Sequence, residues 1–139
     1  MAKKKKRSKR IKPIRYGITW DSKLELNHYE ILKDEPLITV VDRQKTFVLN
    51  EGFGYVDFPL MKKRKYRDMK YTPDFMITVK GIDKPIAFES KGFARKDYNI
   101  RKKLFIQRYG DEYYFWQVGS VKQLKEEIRT LKGELNNEN

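Results

Sequence analysis

Residues Tyr71 to Lys91 read Tyr-Thr-Pro-Asp-Phe-Met-Ile-Thr-Val, then a short turn carrying Gly81 and Asp83, then Pro-Ile-Ala-Phe-Glu-Ser-Lys. Two apolar-alternating runs joined by a Gly- and Asp-containing turn predict a β-hairpin. Pro73 and Pro85 stand where each strand begins, and a missing N–H is tolerated there. Strand side chains alternate with period two, so Glu89 and Lys91 share a face, as do Asp74, Met76 and Thr78. A turn centred between Ile82 and Asp83 puts Val79 opposite Ile86. The same register puts Asp74 opposite Lys91 and diagonal to Glu89. Opposed residues of an antiparallel pair point to one side, so two carboxylates and an ammonium are expected within about 5–8 Å. That set suits a divalent cation with a lysine beside it.

Pro73-Asp74, fourteen intervening residues and then Glu89-Ser90-Lys91 resemble the signature of the PD-(D/E)XK nuclease superfamily. The likeness covers roughly Asp21 to Val118 and is greatest to small phage endonucleases of the Holliday-junction resolvase kind and to the nuclease subunit of certain transposons. It implies a restriction-endonuclease-like core, with metal held by Asp74, Glu89 and the Ser90 main-chain carbonyl. It also implies that Lys91 orients the attacking water or stabilises transition-state charge, and that an acidic residue on a preceding helix, here Glu25, completes the site. The implied activity is Mg²⁺-dependent hydrolysis of DNA phosphodiesters in phage DNA metabolism and recombination, selective for branched duplexes. Mn²⁺ is expected to substitute, and two-strand cutting suggests a homodimer.

The chemistry agrees with the residue types. A phosphodiester is anionic and repels hydroxide, so its hydrolysis needs charge neutralisation and an activated water. Mg²⁺ supplies both and prefers oxygen donors, which fits a chain with no cysteine and one histidine.

Length and charge narrow the classes further. The chain has 139 residues, enough for one domain, and 32 basic against 19 acidic side chains give a net charge of +13. That excess favours a polyanionic partner, and nucleic acid is expected ahead of membrane. No apolar run approaches a membrane span and no signal-peptide core is present, so the chain is expected in the cytoplasm, that of the host cell if phage-encoded.

Much of the excess lies at the N-terminus, where Lys3 to Lys6, Arg7, Lys9, Arg10, Lys12 and Arg15 stand without an acidic residue. Residues 1–16 are therefore expected to form a disordered basic arm, either a solvated tail or a contact to phosphates, and 17–139 the nuclease domain. A second cluster, Lys62, Lys63, Arg64 and Lys65, leads directly toward Asp74. It reads as a DNA backbone contact or as charge protecting an edge strand.

Helices are expected from Asp21 or Ser22 to Pro36, from Asp97 or Asn99 to Tyr109, and after Ser120. Ser22 and Glu25 have capping-box spacing, so Glu25 is either cap or ligand. His28 shares an apolar stripe with Leu24 and Ile31 and is expected to pack in the core. Arg95, Arg101, Lys102 and Lys103 give the second helix a basic face for DNA. Leu37 to Val41 and Thr46 to Leu49 read as strands. Glu112 to Val118 reads as a buried strand joined to the hairpin by a crossover, so the sheet should be mixed. Val121, Leu124, Ile128, Leu131 and Leu135 give the last helix one seam for docking on the sheet or for a dimer. The fold class is thus α/β, a mixed central sheet with helices on both sides. The alternative function is a non-catalytic basic nucleic-acid-binding protein in which Asp74, Glu89 and Lys91 form a cross-strand ion pair.

Overall fold

The computed structural model describes residues 11–91 and 96–137. Strand β1 (Ile14–Arg15) and strand β2 (Ile18–Thr19) form a small ribbon ahead of helix α1 (Lys23–Asp34). Strand β3 (Ile38–Arg43), strand β4 (Phe47–Asn50), strand β5 (Phe53–Asp57), strand β6 (Lys62–Tyr66) and strand β7 (Met69–Tyr71) follow. Strands β8 (Phe75–Val79) and β9 (Ile86–Ser90), helix α2 (Lys96–Tyr109), strand β10 (Tyr114–Val118) and helix α3 (Val121–Asn137) complete the chain.

A four-stranded sheet in the order β10-β9-β8-β3 is the centre. β8 pairs antiparallel with β3 and β9, and β10 pairs parallel with β9, so the fold is α/β with a mixed sheet. The parallel pair follows from the crossover through α2, because only a long connection returns the chain to the same end of the sheet. Phe75, Ile77 and Val79 of β8 and Ile86 and Phe88 of β9 point to one face, where they pack with Leu26 and Leu32 of α1 and Leu124 and Ile128 of α3. Met76 and Ala87 point the other way, to Tyr98 and Phe105 of α2 and to Phe47, Leu49 and Tyr71 of the β4–β7 ribbon. The seam of α3 is therefore spent on the sheet.

Three expectations need correction. The hairpin register pairs Ile77 with Ile86 and Phe75 with Phe88. Carried one residue further it sets Asp74 against Glu89, two places from the expected pairing with Lys91. Gly81, at φ +88°, takes the left-handed turn position and Ile82 N–H bonds back to the Val79 carbonyl, which moves the turn toward Val79. A two-residue shift leaves every side chain on its expected face.

Residues 14–16, expected in the arm, instead enter the β1–β2 ribbon, which turns through Tyr16 and Gly17, both at positive φ. The buried indole of Trp20 donates to the Arg15 carbonyl and Trp20 N–H to that of Pro13, so one core side chain ties the segment down. Residues 1–10 of the arm, and Gly92 after the hairpin, lie outside the described residues. Finally, β10 is an edge strand with Tyr114 exposed, where a buried strand was expected.

Candidate functional site

Asp74 immediately precedes β8 and Glu89 lies within β9, on the α2 side of the sheet. The Asp74 carboxylate accepts the Ser90 main-chain N–H at 2.8 Å. Glu89 is buried, accepts the Tyr71 hydroxyl at 2.8 Å through Oε2, and has the Lys91 ammonium 4.0 Å from Oε1. Lys91 in turn lies 4.5 Å over the ring of Tyr98, and its N–H bonds to the Val118 carbonyl of β10. The two carboxylates and the ammonium predicted for this hairpin are thus brought together.

Burial governs the titration of the acids, since a charged carboxylate loses solvation there. Asp74 is pushed up to about 7 by burial and then by Glu89, against the Ser90 N–H and Lys91. Glu89 is raised by burial, with Tyr71 and Lys91 pulling the other way.

Glu25 enters from α1, on the opposite face of the sheet. Ser22 caps that helix by accepting the Glu25 N–H at 3.0 Å. The Glu25 carboxylate is 2% exposed and near enough to Asp74 to feel its charge. Its Oε1 stands 3.6 Å from Arg43 Nη2, an ion pair too long to be a hydrogen bond, and that oxygen has no hydrogen-bond partner. Burial, then Asp74 and Asp21, push Glu25 up to about 7, and Arg43 opposes them.

A β-bulge aims Arg43. Between Val40 and Asp42 the β3–β8 register slips by one, leaving Val41 exposed and Arg43 opposite Phe75. Without the bulge Arg43 would face the α2 side. With it the guanidinium turns to α1, 4.1 Å over Trp20 and beside Glu25.

His28 packs in the core as expected, edge-on to Phe88, and burial lowers its pKa so that it is held neutral. Its Nδ1 also lies 2.6 Å from Ser90 Oγ, which fixes the residue between Glu89 and Lys91. Sequence reading missed Tyr71, Tyr98 and Arg43. Nothing local marks them, since each reaches the site from a different element.

The oxygen donors of Asp74, Glu89 and Glu25, one of them buried without a partner, match a hard divalent cation, and no softer donor competes. Among the described residues no three His, Cys, Asp or Glu side chains already stand close enough to enclose one. The approach of Glu25 from the other face of the sheet accounts for that spacing, so a cation would be held chiefly by Asp74 and Glu89.

Of the basic residues singled out for DNA, Lys62, Lys63, Arg64 and Lys65 are all exposed on β6. Arg101 donates to the Lys70 carbonyl at 2.5 Å and Lys102 to Gln117 at 2.9 Å, so both also brace α2 against its neighbours. Lys103 is exposed, and Arg95 lies outside the described residues. No helix among the described residues is long and apolar enough to cross a membrane.

The model of a family described as protein of unknown function (DUF1064) matches residues 3–126. No curated protein and no solved structure gives a match.

Proposed function

The chain belongs to the family described as protein of unknown function (DUF1064), a description that leaves its activity to be read from the site, and we propose that it is a metal-dependent DNA endonuclease of the PD-(D/E)XK kind. The substrate in this reading is a branched duplex in phage DNA metabolism, and the place of action is the cytoplasm of the host cell. The observation that carries it is the pair Asp74 and Glu89, facing each other in adjacent strands with Lys91 against Glu89, the Asp74 pKa raised by burial and by Glu89 and that of Glu89 raised by burial.

A structural ion pair is a poor account of such an arrangement. A cross-strand pair placed for stability keeps its charges solvated and matched. Here three partly or wholly buried acids face one lysine and one arginine, with one carboxylate oxygen unpartnered. That costs folding free energy and is typical of sites built for a cation or for proton transfer.

When bound, Mg²⁺ would neutralise phosphate charge and lower the pKa of a water. Asp74 and Glu89 would hold it, with the Ser90 carbonyl completing the set by family resemblance. Ser90 N–H fixes the Asp74 carboxylate and the Tyr71 hydroxyl fixes that of Glu89, so both are oriented before the cation arrives. Glu25, on the far side of Asp74, adds negative charge that draws in a cation or a second one. Lys91, stretched over Tyr98, carries the positive charge left to orient the nucleophile or meet developing charge on the phosphate.

Incubation of the chain with supercoiled plasmid and with a synthetic four-way junction, in Mg²⁺ and in EDTA, tests the reading. Metal-dependent nicking that disappears in Lys91→Ala is expected. Absence of nicking with Mg²⁺ and Mn²⁺ alike would replace it by the non-catalytic nucleic-acid-binding alternative.

A further inference from the structure

The β5–β6 hairpin is exposed along nearly its whole length, and Asp57 alone is half-covered. Its turn, 58–61, carries Phe58 at 86% exposure, Leu60 at 82% and Met61 at 63%, beside an exposed Pro59. Single exposed apolar side chains are ordinary, but three large ones on one projecting turn are not. Leaving them in water is unfavourable unless something covers them during function.

Charge identifies what does. β6 and its continuation carry Lys62, Lys63, Arg64, Lys65 and Arg67, while of the nearby acids Asp57 pairs with Arg64, Asp68 accepts the Gly52 N–H at 2.6 Å, and only Glu51 at the base stands exposed beside them. The register sets Asp57 against Lys62, Val56 against Lys63, Tyr55 against Arg64 and Gly54 against Lys65. Paired residues share a side, so Lys62 and Arg64 lie on one face of the ribbon and Lys63 and Lys65 on the other. A lipid surface meets one face of an amphipathic element. A nucleic-acid groove offers phosphates on both walls, and a two-stranded ribbon is the width a major groove admits.

The base of the hairpin is held. A Cβ on Gly52 would come 2.5 Å from the Tyr66 carbonyl oxygen, so the strands close there as only glycine allows, and Phe53 and Tyr66 stack at 5.1 Å. From that base the chain runs through β7 to Tyr71, whose hydroxyl touches Glu89. Each strand has five residues, which carries the tip about 17 Å beyond the base, roughly five base steps.

We propose that this hairpin is a DNA wedge: Lys62 to Lys65 straddle the two backbones of a groove, and Phe58, Leu60 and Met61 enter the stack where bases are unpaired at a branch. Apolar side chains placed between base steps are a known means of exploiting DNA that unstacks cheaply, and a branch point is such a place. The inference rests on the reading of the chain as a DNA-acting protein, but not on its cleavage chemistry.

The test uses the full chain in EDTA, with a four-way junction and a matched linear duplex carrying 2-aminopurine either at the branch or within an arm. Binding should raise fluorescence only for the probe at the branch. The variant Phe58→Ala/Leu60→Ala/Met61→Ala, whose changes are all at exposed positions, should keep the parent melting temperature and lose that signal. Its affinity for the junction should fall about tenfold, the scale of one lost base stack, and that for linear duplex far less. Lys62→Ala/Lys63→Ala/Arg64→Ala/Lys65→Ala should weaken both, flattening the salt slope of log K by about 3.6 units. An unchanged branch signal in the tip variant overturns the wedge. So does tip-dependent binding to vesicles of anionic lipid without a signal on DNA. Parallel nicking assays of the parent chain in Mg²⁺ separate the two readings. A branch signal without nicking sinks the nuclease and keeps the wedge, and nicking without a branch signal does the reverse.

Discussion

The Asp74 carboxylate accepts the main-chain N–H of Ser90 at 2.8 Å, so the residue that follows Glu89 holds the acid that faces it. This one bond makes the hairpin a rigid frame for two carboxylates that repel each other. In the proposed reading that frame receives a cation between them.

Neutralising either acid should therefore separate stability from activity. In Asp74→Asn and in Glu89→Gln, metal-dependent nicking is expected to fall to background while junction binding survives or tightens, since one repulsion toward phosphate is gone. The metal-free melting temperature at pH 8 should rise. Nicking at parent rates in both variants would remove the pair from the mechanism.

The raised pKa values also set a pH dependence. Asp74 and Glu25, both pushed up to about 7, keep their protons in the folded chain where the unfolded chain has lost them. Their contribution to stability is thus complete below a pH of about 4 and is lost as pH rises through about 7, the last of it above about 6.5. His28, lowered by burial, acts oppositely, because folding resists its protonation and stability is lost as pH falls below its ordinary value of 6.5. Between pH 6.5 and 8 the acids dominate, so the melting temperature in EDTA should fall over that window, and excess Mg²⁺ should restore it. Thermal scans on the parent and on Glu25→Gln/Asp74→Asn check this. A window that stays flat for the parent, or as steep in the variant, contradicts it.

Glu25→Gln distinguishes helix cap from site residue. Ser22 supplies the cap through its own Oγ and the Glu25 main-chain N–H, both of which survive the substitution. Far-UV dichroism should be unchanged and metal-free stability at pH 8 equal or higher. Cleavage in Mg²⁺ should drop severely and recover in part with Mn²⁺, which binds a given oxygen site more tightly. Parent activity in the variant would reduce the site to Asp74, Glu89 and Lys91.

Tyr71→Phe removes the one hydroxyl that orients Glu89. Loss of such a supporting bond lowers metal affinity by about 10–100-fold, so the Mg²⁺ concentration giving half-maximal nicking should rise by that factor. Saturating Mg²⁺ should return most of the rate, whereas a role for the hydroxyl at the reacting atoms would leave the rate low at every concentration.

Much of this site is legible in the chain because strand periodicity is local. Alternation along 71–91 assigns Asp74, Glu89 and Lys91 to one face whatever the partner strand does, and even a two-residue error in register keeps them there. The mixed sheet, the crossover through α2 and the docking seam of α3 follow from the same local patterns. So does the capping of α1 by Ser22.

What the chain alone leaves open depends on contacts distant in sequence. Whether Glu25 turns back on its helix or forward to Asp74 is decided by burial under β3 and by a bulge at Val41 that aims Arg43 at it, and a bulge has no composition signal here. His28 reads as a core residue from its spacing, and packing does bury it, together with Tyr71 and Tyr98. Only tertiary structure places the hydroxyl of Tyr71 on Glu89, the ring of Tyr98 under Lys91 and the imidazole of His28 on Ser90. Patterning sets which face a side chain takes. The packing of three helices and a second ribbon sets what it meets there, because a buried polar atom must find its partner wherever the fold supplies one.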